Sequence, residues 1–301
     1  MRTAIALSSL VLVAGCMGAI SDAGGGPAGD RGEPSARAVG EDGASATDQA
    51  PSTALRRLSR REFENTLRDL FGRSGLADAY LPPDALTPYD NDAESKDPSA
   101  VFIQGLESLA FDVARDVSAA PEEVDALAGC EPSGAADEPC LRSLAADLGR
   151  RTWRRTLTDA ELEPLVSTAL SFATERDDFY VGARFVIQSL LQSPDFAYRV
   201  EIGVAEGPLR RLDNYEIITR LSYLIWATTP DTELLDRAEG EPLSSDEVVE
   251  LADEMLADPR ADAQLEAFHE QWLGYRNLRV PAELEAPMLA ETEALVQRVL
   301  V

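Results

Sequence analysis

The sequence predicts an all-α, multi-helical protein whose short, capped helices pack in two or three lobes behind a flexible tether. Three observations predict it. From Leu55 onward, apolar residues recur at three- and four-residue spacing in one segment after another. Those segments open on Ser, Thr or Asp, and several place Glu three residues further on, the reciprocal pattern of a capping box. No stretch alternates apolar and polar residues in the manner of a half-buried strand.

Ser59 and Glu62 box a helix that runs through Leu70, with Phe63, Leu67 and Leu70 on one face, and Gly72 and Gly75 end it. LPPDALTPYDNDAESKDP follows as a proline-rich loop with clustered acids. Ser99 caps a helix from Ala100 to Ser118 that carries Phe102, Leu106, Leu109, Val113 and Val117. Pro121 and CEPSGAADEPC interrupt the pattern, and Pro139 sits in the first turn of a helix reaching Trp153. Thr158 and Glu161 box a helix to about Phe172, Asp178 starts the next, and Ser193-Pro194 restarts the chain. Beyond the break at Gly207-Pro208, Asp213 with Glu216 and Ser244 with Glu247 box two more helices. Thr229-Pro230 and Asp258-Pro259 open others, and a final helix begins near Pro287. The breaks divide the body into segments 55–120, 138–202 and 210–301, the last with no stop signal at Val301.

Residues 1–15 read as a signal peptide. Arg2 supplies a positive start, Ala4 to Ala14 an apolar run, and Val13-Ala14-Gly15 leads into Cys16. The pattern matches a bacterial lipoprotein signal, in which Cys16 is acylated and becomes the new N-terminus; an ordinary secretory signal is the alternative. Multiple acyl chains hold a protein to a membrane at about 0.8 kcal/mol per buried methylene. Met17 in place of the inner-membrane retention aspartate favours outer-membrane sorting. Residues 16–51, rich in Gly, Ala, Ser and Pro, have too little apolar surface to offset their ordering entropy and read as a disordered tether. No later apolar run reaches the roughly twenty residues of a membrane span.

An exported chain is exposed to oxidising conditions, so Cys130 and Cys140 are expected to form a disulfide. A reduced pair or a metal site is the alternative, and no neighbouring Cys or His completes a ligand set. With 54 acidic and 27 basic residues the formal net charge is -27, which argues against nucleic acid as a partner. The expected partners are an envelope protein or a polysaccharide, besides the membrane reached through the lipid anchor. A single histidine, His269, leaves no HExxH metalloprotease pattern, and no GxSxG elbow or phosphate-binding glycine loop is present. Neither metal nor cofactor is expected.

Four features stand as candidate chemistry. Arg150, Arg151, Trp153, Arg154 and Arg155 form a basic cluster able to grip an anion or a partner, or else to make internal ion pairs; on one helix, Arg150 would share a side with Arg154 and Arg151 with Arg155. Tyr89-Asp90-Asn91-Asp92-Ala93-Glu94 with Asp97 offers oxygen ligands for calcium without the EF-hand spacing. His269 has Glu266 and Glu270 nearby as acid–base partners, or packs with Leu265, Phe268 and Trp272. Trp226 and Trp272 lie in apolar helical patterns, which favours core packing over sugar stacking.

Taken in order, LRRLSRREFENTLRDLFG, PPDALTPYDND, GRRTWRRTLTDAEL, VIQSLLQSPDFAYRVE, DNYEIITRLSYLIWATTPDTELLDRA and DPRADAQLEAFHEQWL resemble secreted planctomycete- and myxobacterial-type proteins built from consecutive domains of unknown function. The resemblance implies further C-terminal domains after the segment corresponding to PMLAETEALV. It also implies, for some relatives, a cytochrome c-like neighbour. This chain has no CxxCH haem attachment pattern. The reading is a lipid-anchored extracytoplasmic scaffold or binding module, with an unfamiliar envelope hydrolase or an electron-transfer accessory as alternatives.

Overall fold

Each capping box read in the sequence starts a helix: Ser59 with Glu62, Thr158 with Glu161, Asp213 with Glu216 and Ser244 with Glu247 exchange side chain-to-backbone hydrogen bonds. The structure, a computed structural model, describes residues 55–85, 89–93, 96, 98–207, 209–275 and 280–300. The signal at 1–15, Cys16, the tether at 16–51, Glu94 and Asp97 lie outside the described residues.

A short strand β1 (Arg56–Arg57) leads into α1 (Arg60–Phe71), α2 (Leu76–Tyr80) and α3 (Ala100–Ser118). The chain continues through α4 (Pro121–Ala128), α5 (Glu138–Trp153), α6 (Asp159–Arg176), α7 (Phe179–Gln192) and α8 (Pro194–Ala197). Strand β2 (Tyr198–Arg199) pairs antiparallel with β1, and β3 (Val204–Glu206) pairs antiparallel with β4 (Leu209–Arg211). Then come α9 (Asn214–Ile225), α10 (Thr232–Ala238), α11 (Ser245–Leu256), α12 (Arg260–Leu273) and α13 (Ala282–Leu300). Among the described residues the protein is all-α apart from these ribbons, which are too short to produce readable alternation. Pro121 opens α4 instead of merely interrupting a pattern, because a first-turn proline has no hydrogen bond to lose. The last helix starts at Ala282 and carries Pro287 inside it, where the sequence placed the start.

The first core is built by α1 to α8. Helix α7 packs against α3, α5 and α6, and Phe63, Leu109, Leu144, Ile187 and Leu190 are fully buried. Gly182 sets the α6–α7 approach: a Cβ there would come within 2.7 Å of the Ala169 carbonyl oxygen and 2.9 Å of Ala173 Cβ. Segments 55–120 and 138–202 therefore share one core. Cys130 and Cys140 are joined by a disulfide that ties the end of α4 to the first turn of α5, with Cα atoms 5.9 Å apart. In the chain-entropy picture a loop of this size contributes about 3 kcal/mol.

A second, smaller core gathers Ile218, Trp226, Leu234, Leu251, Met255 and Ala261 from α9 to α12. Tyr223 departs from its own helix and belongs to the first core. No described helix is long and apolar enough to cross a membrane.

The proline-rich loop after α2 is anchored by charge. Asp84 accepts from the backbone N–H of Arg60 at 2.5 Å, from Lys96 Nζ at 2.6 Å and from Arg57 Nη2 at 3.4 Å. Its side chain is 7% exposed and that of Lys96 is 1% exposed. Burial lowers the Lys96 pKa, and Asp84 and Glu62 oppose that effect. Removing one partner of such a cluster leaves an uncompensated buried charge.

Candidate functional site

The basic cluster turns inward. Helix α5 ends at Trp153, and Arg154 caps it in the left-handed conformation at φ 59°, so the expected i,i+4 pairing of the arginines along one helix does not form. That conformation costs a non-glycine residue roughly 1–2 kcal/mol. It carries the Arg154 side chain into the interior, where it is 3% exposed. There the guanidinium donates to the carbonyl oxygens of Asp195, Phe196 and Tyr198 and to the Tyr223 hydroxyl. One side chain thus joins the end of α5, the α8–β2 turn and α9.

Its neighbours are engaged in the same way. Arg150 pairs with Asp236 at 2.8 Å and Glu239 at 3.1 Å, and Arg151 donates to the Asp69 carbonyl oxygen at 3.2 Å. Trp153 Nε1 donates to the Leu190 carbonyl oxygen at 3.2 Å. Arg155 bridges Glu161 at 2.8 Å and Asp195 at 2.9 Å. The Arg155 hydrogen bond, reinforced by bonds from Thr158, lowers the Glu161 pKa from 4.5 to about 2. Trp153, Arg154 and Arg155 also line a cavity of about 380 Å³ with Tyr215 and Glu216, but each already holds an internal partner.

The acidic loop is likewise structural where it is described. Asp90 is 7% exposed, accepts from Arg61 Nε at 3.2 Å, and its backbone N–H donates to Gln271 Oε1 at 2.7 Å. Among the described residues, no group of three or more His, Cys, Asp and Glu is placed to hold a metal ion. His269 is 7% exposed, with Nδ1 2.7 Å from the Leu265 carbonyl oxygen one turn back, and its ring lies against Phe268 and Trp272.

The apolar counterpart lies on the other side of Asp90. A cavity of about 490 Å³ opens between α9, α11, α12 and the loop at Tyr89–Asn91. Three helical ridges wall it: Leu221, Leu224 and Ile225; Ala252 and Leu256; Leu265 and Phe268. Tyr89 stacks on Phe268 with ring centres 5.5 Å apart and planes at 9°, and Phe268 stacks on Trp272 at 6.0 Å and 29°. The ladder ends in solvent, with Trp272 60% exposed, Leu224 63%, Leu256 47% and Phe268 42%. Exposed apolar side chains gathered in one place are the kind of surface that binding sites use. Four of the polar residues that line it, besides Asn91, bond to one another: Arg61 pairs with Asp90 and donates to Gln264, and Gln271 accepts from the Asp90 backbone.

Trp226 packs as expected, 7% exposed, with Nε1 donating to the Met255 carbonyl oxygen at 2.9 Å and Arg260 stacked over its ring at 3.4 Å. Trp272 does not, which corrects the reading that both tryptophans fill the core. On α12 the small Ala261 and Ala267 are buried with His269, whereas Leu265 is half-buried and Phe268 and Trp272 are exposed. The aromatic stripe therefore faces out. The stripe of Leu265, Phe268 and Trp272 was the signal available in the sequence, and periodicity alone does not say whether a stripe is covered.

Comparison with known families matches three models in succession. Residues 56–119 match PSD3, a protein of unknown function (DUF1587), residues 140–201 match PSD5 (DUF1595), and residues 212–301 match PSD4 (DUF1592). No curated protein and no solved structure matches the chain.

Proposed function

For a chain that carries the PSD3, PSD5 and PSD4 domains of unknown function one after another, we propose the role of a non-catalytic binding module, lipid-anchored at Cys16 outside the cytoplasm and sorted to the outer membrane. The observation that carries the reading is the cavity between α9, α11 and α12, an apolar trough whose aromatic ladder stands in solvent. Binding sites combine an apolar lining with a few oriented polar groups. A reaction centre needs something more, an acid, base or nucleophile free to meet a substrate. Here the charged groups at the trough, Arg61 and Asp90, neutralise each other. The lipobox and the polar segment after it support the anchored placement, because a tether gives a membrane-held module reach toward an envelope partner.

Two measurements test the proposal. Replacing Cys16 with Ser is expected to release the protein from the membrane fraction; an unprocessed wild-type chain recovered from cytosol would overturn the placement. A photo-crosslinking residue at position 272 in the native envelope is expected to capture one reproducible neighbour, and the same residue at buried position 226 none. Indiscriminate capture from position 272 would overturn the binding role of the trough.

A further inference from the structure

We infer that the occupant of this trough is a cationic amphipathic helix of a protein partner; the inference rests on the binding role proposed above and names the chemistry of what is bound. The wall residues lie on three helices, and the apolar stripes they belong to run on beyond the cavity, the kind of surface a helix-in-groove site offers. Ile217, Leu221 and Leu224 on α9 repeat at i, i+4, i+7, and Val249, Ala252 and Leu256 on α11 repeat at i, i+3, i+7. Leu265, Phe268 and Trp272 do the same on α12. All but Ile217, Leu221, Ala252 and Leu265 are well exposed, and those four are half-buried. Ridges at this spacing interdigitate with the apolar stripe of another helix.

A glycan fits the site less well. Sugar hydroxyls need several polar side chains with free hydrogen-bonding capacity; of the polar residues lining the trough, Arg61, Asp90, Gln264 and Gln271 are tied into one network, which leaves Asn91 outside it. Stacking remains available on Trp272, but the aliphatic walls formed by Leu224 and Leu256 match leucine-like side chains.

Charge sets the sign of the partner. Between Ser245 and Leu273 there are nine acidic residues, of which Asp258 is paired with Arg260, the one arginine of that stretch, and Glu254 with Arg237 of α10. Asp246 and Asp253 are exposed on α11 beside Val249 and Leu256. Arg61, the arginine that lines the trough, is neutralised by Asp90. A helix with lysines flanking its apolar stripe would meet attraction at this rim, and one with glutamates would meet repulsion.

The experiment uses the full chain purified with its anchor and two synthetic helices that share one Leu/Phe stripe, with lysine on the polar face of one and glutamate on that of the other. Calorimetric titration is expected to show the lysine helix binding about tenfold or more tighter than the glutamate helix, with the gap narrowing as salt screens the rim. Trp272→Ala is expected to abolish binding of the lysine helix. The double change Asp246→Lys with Asp253→Lys touches only exposed side chains and is expected to reverse the preference. Equal binding of both helices, insensitive to that reversal, would overturn the cationic occupant and leave the trough as a binding site. If neither helix binds while the dye anilinonaphthalene sulfonate does, in a manner lost in Trp272→Ala, the occupant is a small apolar molecule and the inference fails alone. If none of the three binds, the binding role fails with it.

Discussion

The turn after α5 and the outer face of α12 treat their side chains in opposite ways. At the first, five residues of a conspicuously basic and aromatic run, Arg150 to Arg155, reach inward or across to carbonyls and carboxylates of the same chain. At the second, an aromatic pair that looks like core filling, Phe268 and Trp272, stands in solvent. Residue type is thus a poor guide to what is available for binding. A guanidinium whose donors are occupied offers a ligand little, and an indole left mostly in solvent keeps much of its hydrophobic driving force.

The comparison breaks most visibly at the two tryptophans. Trp226→Ala is expected to cost about 3–5 kcal/mol in chemical denaturation, as large-to-small changes in a packed core do. Next in size, Arg154→Ala is expected to cost about 3 kcal/mol, because it strips a donor from several buried carbonyls at once. Arg154→Gly removes the same donor but relieves the left-handed backbone, so its loss should be about 1 kcal/mol smaller; a glycine variant no more stable than the alanine one would argue that the conformation carries no strain.

A smaller effect is read from acid titration. Glu161 titrates at about 2 in the folded chain against an ordinary 4.5. Its contribution is therefore complete above pH 4.5 and is lost as pH falls toward 2. Stability measured across that window should depend less steeply on pH in Glu161→Gln than in wild type. Parallel curves would mean that Arg155 does not hold the carboxylate. The smallest expected effect closes the series: Trp272→Ala should change stability by no more than about 0.5 kcal/mol, as surface substitutions do. A loss comparable to that of Trp226→Ala would show Trp272 to be a structural residue and would remove the distinction between the two regions.

Much of the fold was legible because its signals are local. The capping boxes and the Pro139 start depend on residues a few positions apart, and the helices they predict are present. What escaped depends on distant partners. That α1 to α8 share one core follows from α7 packing between helices far from it in sequence. The inward turn of Arg154 depends on carbonyls at Asp195 to Tyr198. The candidate trough was the least readable, since Tyr89 meets Phe268 only in three dimensions and nothing in α12 itself decides whether its apolar stripe is covered. The Cys130–Cys140 bond was expected from a leader-like start read as export to an oxidising compartment, and the bond is present.

The Lys96–Asp84 pair has a practical consequence. Lys96 is the only lysine in the chain, and its side chain is 1% exposed. Apart from the N-terminus, the native protein therefore presents no primary amine to an acylating reagent. Covalent tagging at Lys96, followed by peptide mass, would proceed only as fast as the proline-rich loop lifts from α1, so a single chemical clock reports local opening at one identified point.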